Sequence, residues 1–439
     1  MKKIVLSLLS VLVIAVMSVA LYGKYLVDDH RADQHFVSSQ AAAPDAAQIA
    51  RGAYLAKAGN CMACHTVRGG PAYAGGRVIQ SEFGDFIAPN ITPDVATGIG
   101  SWNAEDFWQA LHNGKSRDGS LLYPAFPYTN YTLITRSDAD AMFAYLKTVK
   151  AVEHRNLPHS LRFPYNQRAL LAFWRAAYFR PAVYRVNPQQ SAQWNRGAYL
   201  INGLGHCSAC HSGRNALGAN GGSTDFSGGA LPLTTWYAPS LVATAEASQA
   251  HAALPQIQSL LKHGITADAV VTGPMADVVS DSLQHLSDAD IAAMSQYLRA
   301  IPTQQADAPD SLDQMLAEQA VGKQTMAMIM SQGAVLYKTH CADCHGAQGD
   351  GVAKVYPPLK ANRAVLSASL ANPLRLILSG GFPPATGGNP RPYSMPPFGP
   401  VLSDAEVAVV LTYVRNAWGN QAGVVTSADV NRYRTAPLD

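Results

Sequence analysis

Apolar residues recur at helical spacing in three stretches of the chain, and each stretch repeats the same order of elements. An opening helix carries a Gly-Ala pair, a short helix ends in Gly, and a closing helix is rich in Ala and aliphatic residues. Each closing helix follows a Ser or Thr with acidic residues close behind, which is an N-cap signature; these segments are 135–138, 287–290 and 403–406. Strand-like alternation is scarce, so the pattern predicts three small, mainly α units.

Polar and proline-containing stretches separate the units. The predicted boundaries are 45–150 for unit one, 191–302 for unit two and 326–420 for unit three, with linkers at 151–190 and 303–325 and a tail at 421–439. The first linker holds an amphipathic aromatic stretch, residues 163–179. This stretch either packs between units one and two or lies on a membrane or a partner. We favour packing, because an apolar helix face in a globular protein is usually buried.

The beginning of the chain reads as a targeting segment. Two lysines, Lys2 and Lys3, precede an apolar run from Ile4 to about Tyr22, which is just long enough to span a bilayer. Residues 1–28 are therefore predicted to be an uncleaved signal anchor, or a signal peptide cleaved near Ser18-Val19-Ala20. Both alternatives place the three units outside the cytoplasm.

The composition excludes few functions but argues against nucleic-acid binding. The chain has 439 residues, of which 48% are hydrophobic and 14% are charged, and its formal net charge is +3. No run of five Lys or Arg residues occurs. A globular protein with a weakly charged surface and no basic patch has no electrostatic means of holding a polyanion.

The six cysteines carry the most specific signal. They form three pairs with identical spacing, and His follows each pair directly: Cys61/Cys64 with His65, Cys207/Cys210 with His211, and Cys341/Cys344 with His345. The spacing places two thiols about one helical turn apart beside an imidazole, which suits covalent haem attachment. The thiols would bind the haem vinyl groups as thioethers, and each His would be the proximal iron ligand.

The alternatives to haem attachment at these cysteine pairs are a zinc site and a redox dithiol. Zinc requires four ligands from paired motifs, whereas these pairs lie far apart in the chain. A dithiol active site does not require His after its second Cys. Three copies within a matching repeat therefore predict three covalently bound haems c.

Methionine is a common sixth ligand in such units. Met275 and Met395 both precede the closing helix of their unit and are predicted to be axial ligands, although either could be a core residue. In unit one Phe126 occupies this place, and phenylalanine cannot bind iron. Met142 and His112 are possible substitutes, but both are more typical of packing positions. The haem of unit one is therefore expected to have a lower reduction potential or an open iron site.

A proline followed shortly by an aliphatic residue recurs after each cysteine pair. The main-chain carbonyl of Pro89, Pro239, and either Pro357 or Pro358 could accept the Nδ1–H of the proximal His and fix its tautomer. The alternative is that these prolines only form turns.

Several further stretches resemble one known family. They include Asn90–Asp94, Gly205–Cys207, Gly273–Val279 and Val424–Val430, and the resemblance runs from about residue 48 to the C-terminus. The chain resembles the three-haem cytochrome c subunits of membrane-bound periplasmic dehydrogenases for alcohols, gluconate and aldehydes. The resemblance implies three tandem class I cytochrome c-like domains after an N-terminal membrane helix. The family usually has Met where this chain has Phe126.

The resemblance also implies a role. A separate catalytic subunit, of the pyrroloquinoline quinone, flavin or molybdenum type, would oxidise the substrate and pass electrons through these haems to ubiquinone or a terminal oxidase. The expected location is the bacterial inner membrane, with the haem domains in the periplasm. The alternatives are a haem enzyme or ligand-binding protein that uses an open first haem, and an oxidase-associated relay.

Overall fold

The computed structural model describes residues 44–231, 234–247, 252–304 and 323–435. The helices of unit one and the first linker are α1 (Ala46–Ala58), α2 (Cys61–His65), α3 (Ala104–Asn113), α4 (Tyr128–Tyr131), α5 (Arg136–Leu146) and α6 (Leu171–Tyr178). The helices of unit two are α7 (Ala192–Tyr199), α8 (Leu254–His263), α9 (Pro274–Asp281) and α10 (Asp288–Ala300). The remaining helices are α11 (Lys323–His340), α12 (Ala342–His345), α13 (Arg363–Leu366), α14 (Ala371–Ser379), α15 (Asp404–Asn416) and α16 (Ser427–Arg434).

Strands contribute little to the described residues. They are β1 (Val78–Ile79), β2 (Gly84–Ile87), β3 (Ser160–Leu161), β4 (Gly229–Ala230) and β5 (Tyr237–Ala238). The first three form one antiparallel sheet in the order β1-β2-β3, and the last two form an antiparallel pair. Because β3 belongs to the first linker, the sheet attaches that linker to unit one.

The predicted fold included a membrane helix ahead of the units, and this part of the prediction is corrected. Within the described ranges no helix has the length and apolarity needed to cross a bilayer. A span needs about 20 predominantly apolar residues, whereas the longest of these helices, α11, has 18 and includes Lys, Gln, Thr and His. Residues 1–28, on which the prediction rested, lie outside the described residues. The three helical units themselves fit cytochrome c-like domains.

The opening and closing helices of each unit cross in close contact. The pairs are α1 with α5, α7 with α10, and α11 with α15. A Cβ atom at Gly52 would overlap the carbonyl oxygen of Ala141, and one at Gly197 would overlap that of Ala293. The repeated Gly of the opening helix is therefore explained by the approach of two backbones that leaves no room for a side chain.

Within units one and two, an ion pair joins the same two helices. The Nε of Arg51 donates to Asp138 at 2.8 Å, and Arg196 donates to both carboxylate oxygens of Asp290 at 2.8 and 2.7 Å. Each arginine directly precedes the repeated Gly of its opening helix, and each aspartate lies in the first turn of the closing helix. The bidentate contact of Arg196 fixes orientation as well as supplying charge.

Two tyrosines cross between the units to the same aspartates. The hydroxyl of Tyr54 in unit one donates to Asp290 at 2.6 Å, and the hydroxyl of Tyr199 in unit two donates to Asp138 at 2.6 Å. Burial raises the pKa of Asp290, but the bonds from Arg196 and Tyr54 outweigh that effect, so this pKa lies below its usual value. The crossed bonds relate units one and two by an approximate two-fold arrangement.

The same two units share one hydrophobic core. Leu200, Ile201 and Leu204 of unit two are at most 1% exposed and belong to the cluster that also contains Ile134 and Met142 of unit one. Unit three has a separate cluster of its own. Units one and two therefore form one packed body, because burial of apolar surface is the main favourable contribution to such an association.

The first linker contacts both units of this body. The indole Nε1–H of Trp174 donates to the carbonyl oxygen of Leu217 in unit two at 2.9 Å. The amide of Tyr184 donates to the carbonyl oxygen of Leu133 in unit one at 3.1 Å. Phe163, at the start of the aromatic stretch, is 79% exposed. Only part of the aromatic surface of this stretch is therefore buried by the units.

Unit three carries a buried arginine that fastens the C-terminal tail. The Arg415 side chain donates to the carbonyl oxygens of Gly423, Val365 and Ser367 at 3.1, 2.5 and 2.9 Å. Burial lowers the pKa of Arg415 to about 10, so the group stays charged near neutral pH. Three carbonyl acceptors compensate for taking this cation out of water.

The crossed tyrosine bonds give the first prediction. Replacing Tyr54 or Tyr199 by Phe removes a hydrogen bond to a charged acceptor, which should cost about 1.5–3 kcal/mol of unfolding free energy in the two-unit body. Denaturant unfolding of the haem-loaded chain measures the change. Tyr393→Phe, at a residue that is 58% exposed, is the matched control and should leave the midpoint unchanged. Equal midpoints for all three variants would contradict a stabilising role for the crossed bonds.

Candidate haem attachment sites

In unit one the attachment motif is a single short helix placed directly after the opening helix. Asn60 takes a left-handed backbone conformation with φ 50°, which turns the chain so that α2 begins at Cys61. The Nδ1 of His65 lies 2.8 Å from the carbonyl oxygen of Pro89. Because a carbonyl only accepts, Nδ1 must carry the proton, and the lone pair is left on Nε2. The ring is thereby set up to bind a metal through Nε2.

Units two and three repeat this arrangement. The Nδ1 of His211 lies 2.8 Å from the oxygen of Pro239, and that of His345 lies 3.0 Å from the oxygen of Pro357. The choice between Pro357 and Pro358 left by the sequence is therefore decided in favour of Pro357. Three imidazoles at corresponding positions have the same fixed tautomer.

None of the six cysteines of the attachment motifs forms a disulfide. In unit three Cys344 lies in α12 directly before His345, and the amides of both residues donate to the carbonyl oxygen of Cys341, at 3.3 and 2.9 Å. The sequence predicts thioethers at these positions, and cysteines that are not paired in disulfides are compatible with that role. The thioether role therefore stays a prediction for the six residues Cys61, Cys64, Cys207, Cys210, Cys341 and Cys344.

A large cavity of about 1940 Å³ opens at the unit-one motif. Ligand pockets for drug-sized molecules occupy roughly 300–1,000 Å³, so this space accepts a larger planar group. Its wall includes Cys61, Cys64 and His65 together with apolar side chains of the shared core: Ile99, Phe107, Leu111, Tyr131, Met142 and Leu146. It also reaches Ala209 and Cys210, so the motifs of units one and two border the same space.

The thiols do not have the properties of a redox dithiol. Burial raises the pKa of Cys61 and Cys207 to about 12 and that of Cys341 to about 11. Reactive dithiols have a lowered thiol pKa instead. Across the described residues, no group of three or more His, Cys, Asp and Glu side chains is arranged to hold a metal ion. Paired thiols, a tautomer-fixed imidazole and an apolar cavity fit covalently bound haem.

The predicted sixth ligands lie in differently built segments. Met275 is in the first turn of α9 and packs at the edge of the shared core. Met395 lies in a loop, where its backbone exchanges two hydrogen bonds with Gly381, at 3.0 and 2.9 Å. Phe126 lines the unit-one cavity, and its ring centroid lies 5.3 Å from that of Tyr131. The three segments therefore differ in backbone structure although each precedes a closing helix.

His112 lies on the packing face of α3. Its ring is stacked on Trp108 at 4.4 Å, and its Nδ1 lies 2.9 Å from the carbonyl oxygen of Thr132. The residues of α3 that line the cavity are Phe107, Ala110 and Leu111, on another side of the helix. The structure does not bring His112 to the cavity wall.

Two residues at the boundary of units one and two were missed by the sequence reasoning. The buried hydroxyl of Tyr131 donates to the carbonyl oxygen of Gly59 at 2.9 Å, and the ring of His206 lies edge-on to Tyr131 at 5.5 Å. His206 has φ 39° and stands directly before Cys207, as Asn60 stands before Cys61. The parallel between Gly59-Asn60-Cys61 and Gly205-His206-Cys207 was the available signal.

The model of the cytochrome c family matches residues 49–150 and 330–418 of this chain. Together with the attachment geometry, this defines the class: the protein is a c-type cytochrome with covalently bound haem.

Two named relatives show to which family of c-type cytochromes the chain belongs. The chain is 36% identical over 409 residues to the cytochrome c subunit of the quinone-type alcohol dehydrogenase of Gluconobacter oxydans, covering 91% of this chain and 85% of that protein. It is 35% identical over 404 residues to the gluconate 2-dehydrogenase cytochrome c subunit of Pantoea cypripedii, covering 88% and 90%. The chain belongs to the family of dehydrogenase cytochrome c subunits, whose class of function is electron transfer.

A third relative is longer than this chain. It is a nicotinate dehydrogenase subunit of Pseudomonas putida, 39% identical over 377 residues, which are 84% of this chain. The match spans only 30% of that protein's length.

Met395 gives the second prediction. Met395→Leu keeps the volume of the side chain but removes the sulfur. If Met395 is an axial ligand, the far-red absorption of thioether-bound ferric iron should fall, and one midpoint potential should drop because thioether ligation raises it. Met328→Leu is the control, since this residue is 58% exposed on α11. Unchanged spectra in Met395→Leu would show that Met395 is a packing residue.

Proposed function

We propose that this protein is a three-haem electron-transfer subunit that accepts electrons from a catalytic dehydrogenase subunit and passes them to ubiquinone or a terminal oxidase. The observation that carries the proposal is the threefold repetition of one arrangement. In each unit a His follows a Cys pair and has its Nδ1 held by a proline carbonyl, at 2.8, 2.8 and 3.0 Å.

The haem number rests on unit two in particular. Its motif differs locally, because a π-helical stretch (Leu200–Leu204) and a short 3₁₀ helix (Cys207–Ala209) replace the plain α-helical turn. The contact between His211 and Pro239 is nevertheless the same as in the other units. Retention of this contact in a different backbone setting supports a haem at unit two.

The residues of each site act mainly by positioning. The imidazole Nε2 of His65, His211 and His345 would bind the iron, and each proline carbonyl would keep that nitrogen deprotonated. Haem supplies the one-electron chemistry when bound. Apolar side chains form much of the wall of the unit-one cavity, and the shared border with Cys210 supports transfer between the first two sites.

The relatives support the proposed catalytic partner, and the chemistry of haem attachment supports the proposed compartment. The relatives are named as subunits of dehydrogenases for alcohols and gluconate, which supports a separate catalytic subunit carrying its own cofactor of the pyrroloquinoline quinone, flavin or molybdenum type. Covalent haem attachment takes place outside the cytoplasm in bacteria. We therefore place the haem units at the periplasmic face of the inner membrane.

The haem number gives the third prediction. The denatured wild-type chain should carry the mass of three haems. Replacing both cysteines of one pair by Ser, such as Cys207→Ser with Cys210→Ser, should remove one haem mass. The same double change in unit one, and in unit three at Cys341 and Cys344, provides the matched comparison. Two haem masses on the wild-type chain would contradict a haem at every motif.

The partner gives the fourth prediction. A tagged, haem-loaded chain purified from its native bacterium should bring with it a large oxidoreductase whose substrate reduces the haems. Adding a ubiquinone analogue should then reoxidise them. Recovery of a terminal oxidase without any dehydrogenase would instead support an oxidase-associated relay.

A further inference from the structure

We propose that no residue of the described part of the chain supplies a sixth ligand to the haem site of unit one, and that this site binds a small neutral diatomic molecule, such as carbon monoxide or nitric oxide, beside Phe126. This inference rests on the proposed haem at His65. It goes beyond electron transfer, because it assigns a ligand-binding site to one unit only.

The first step compares the three units. Units two and three have Met275 and Met395 ahead of their closing helices. In unit one Phe126 takes this place and lines the same cavity as His65, in contact with Tyr131. A benzyl side chain has no lone pair to donate, so the residue in this position fills space without binding metal.

Met142 also lines the cavity, but its place in the repeat argues against a role as an iron ligand. It lies on α5 and is 1% exposed, and the corresponding residues of the other closing helices, Met294 and Val410, are 2% and 3% exposed. The position is therefore a core position in every unit. In unit two it coexists with Met275, and in unit three it is a valine, so binding iron is not its general role.

The histidines near the cavity are committed elsewhere. His159 lines the cavity, but its Nδ1 accepts the amide N–H of Ile87 at 3.1 Å. In the neutral ring the proton is then on Nε2, which has no lone pair for iron. His206 also lines the cavity, where its ring lies edge-on to Tyr131 and is hydrogen-bonded to the backbone of Gly59. His112 faces Trp108 and Thr132 on the packing face of α3.

The apolar side chains in the wall of the unit-one cavity favour a neutral ligand. Ile99, Phe107, Leu111 and Leu146 are apolar and line the cavity where it continues the core. The hydroxyl of Tyr131 already donates to Gly59 and is not directed at a ligand. Beside these apolar side chains an anion would lose hydration, whereas a neutral diatomic molecule loses little. Arginines line other parts of the cavity, and among them Arg77 and Arg168 already donate to the carbonyl oxygens of Ala63 and Leu121. Carbon monoxide should therefore bind the ferrous site better than cyanide binds the ferric site.

Carbon monoxide titration of the reduced, haem-loaded full chain is the fifth prediction. One haem in three should bind carbon monoxide, and the oxidised protein should show one high-spin ferric signal for every three haems. Phe126→Met should abolish carbon monoxide binding, because it supplies the sulfur present in units two and three. Met294→Leu, the corresponding change in the closing helix of unit two, is the matched control and should leave binding unchanged. Met142→Leu is made alongside it and tests Met142 itself as a ligand.

The outcomes separate this inference from the proposed function. Three haem masses without carbon monoxide binding or a high-spin signal would overturn the open site and leave electron transfer intact. Binding that arises only in Met142→Leu would identify Met142 as the ligand and also overturn it. Should Phe126→Met fail to fold, the high-spin signal of the wild-type protein still decides. A missing haem mass for unit one would instead remove the basis of both proposals.

Discussion

The hydrogen bond from a histidine Nδ1 to a proline carbonyl is the interaction on which each unit depends. It is 2.8–3.0 Å long in all three units. The bond fixes which ring nitrogen carries the proton, and so decides that the other nitrogen is the one able to act as a ligand. It also ties the loop after the attachment motif to the motif itself. The helical frame, held by the close crossing at Gly52 and Gly197, keeps both ends of this bond in place.

Units one and two are joined by crossed hydrogen bonds to their aspartates, and unit three lacks the residues for such bonds. Their aspartates each accept from an arginine of the same unit and a tyrosine of the other. In unit three the corresponding positions of the opening helix are Gln332 and Val335, and Val335 is 66% exposed. The same pair of crossing helices therefore occurs in two settings. Units one and two share one hydrophobic core, whereas unit three has a core of its own.

The sequence was informative wherever the chemistry is local. Each attachment motif lies within five residues, and the N-caps at Thr135, Ser287 and Ser403 are all formed, since side chain and backbone donor are three residues apart. The crossed tyrosine bonds could not be predicted, because nothing in a linear pattern shows that two units face each other. The membrane helix was inferred from an apolar run behind Lys2 and Lys3, and no described helix has the required length and apolarity. The contact between Tyr131 and His206 was missed for the same non-local reason.

The crossed bonds have a consequence for the order of folding. Tyr54 and Asp290 are 236 residues apart in the chain. Unit one is synthesised first, yet part of its apolar surface belongs to a cluster completed by residues of unit two, among them Leu200, Ile201 and Leu204. Until unit two emerges, that surface remains in contact with solvent, and exposed apolar surface on a growing chain promotes aggregation. Completion of the unit-one core therefore depends on unit two, whereas unit three has a core of its own.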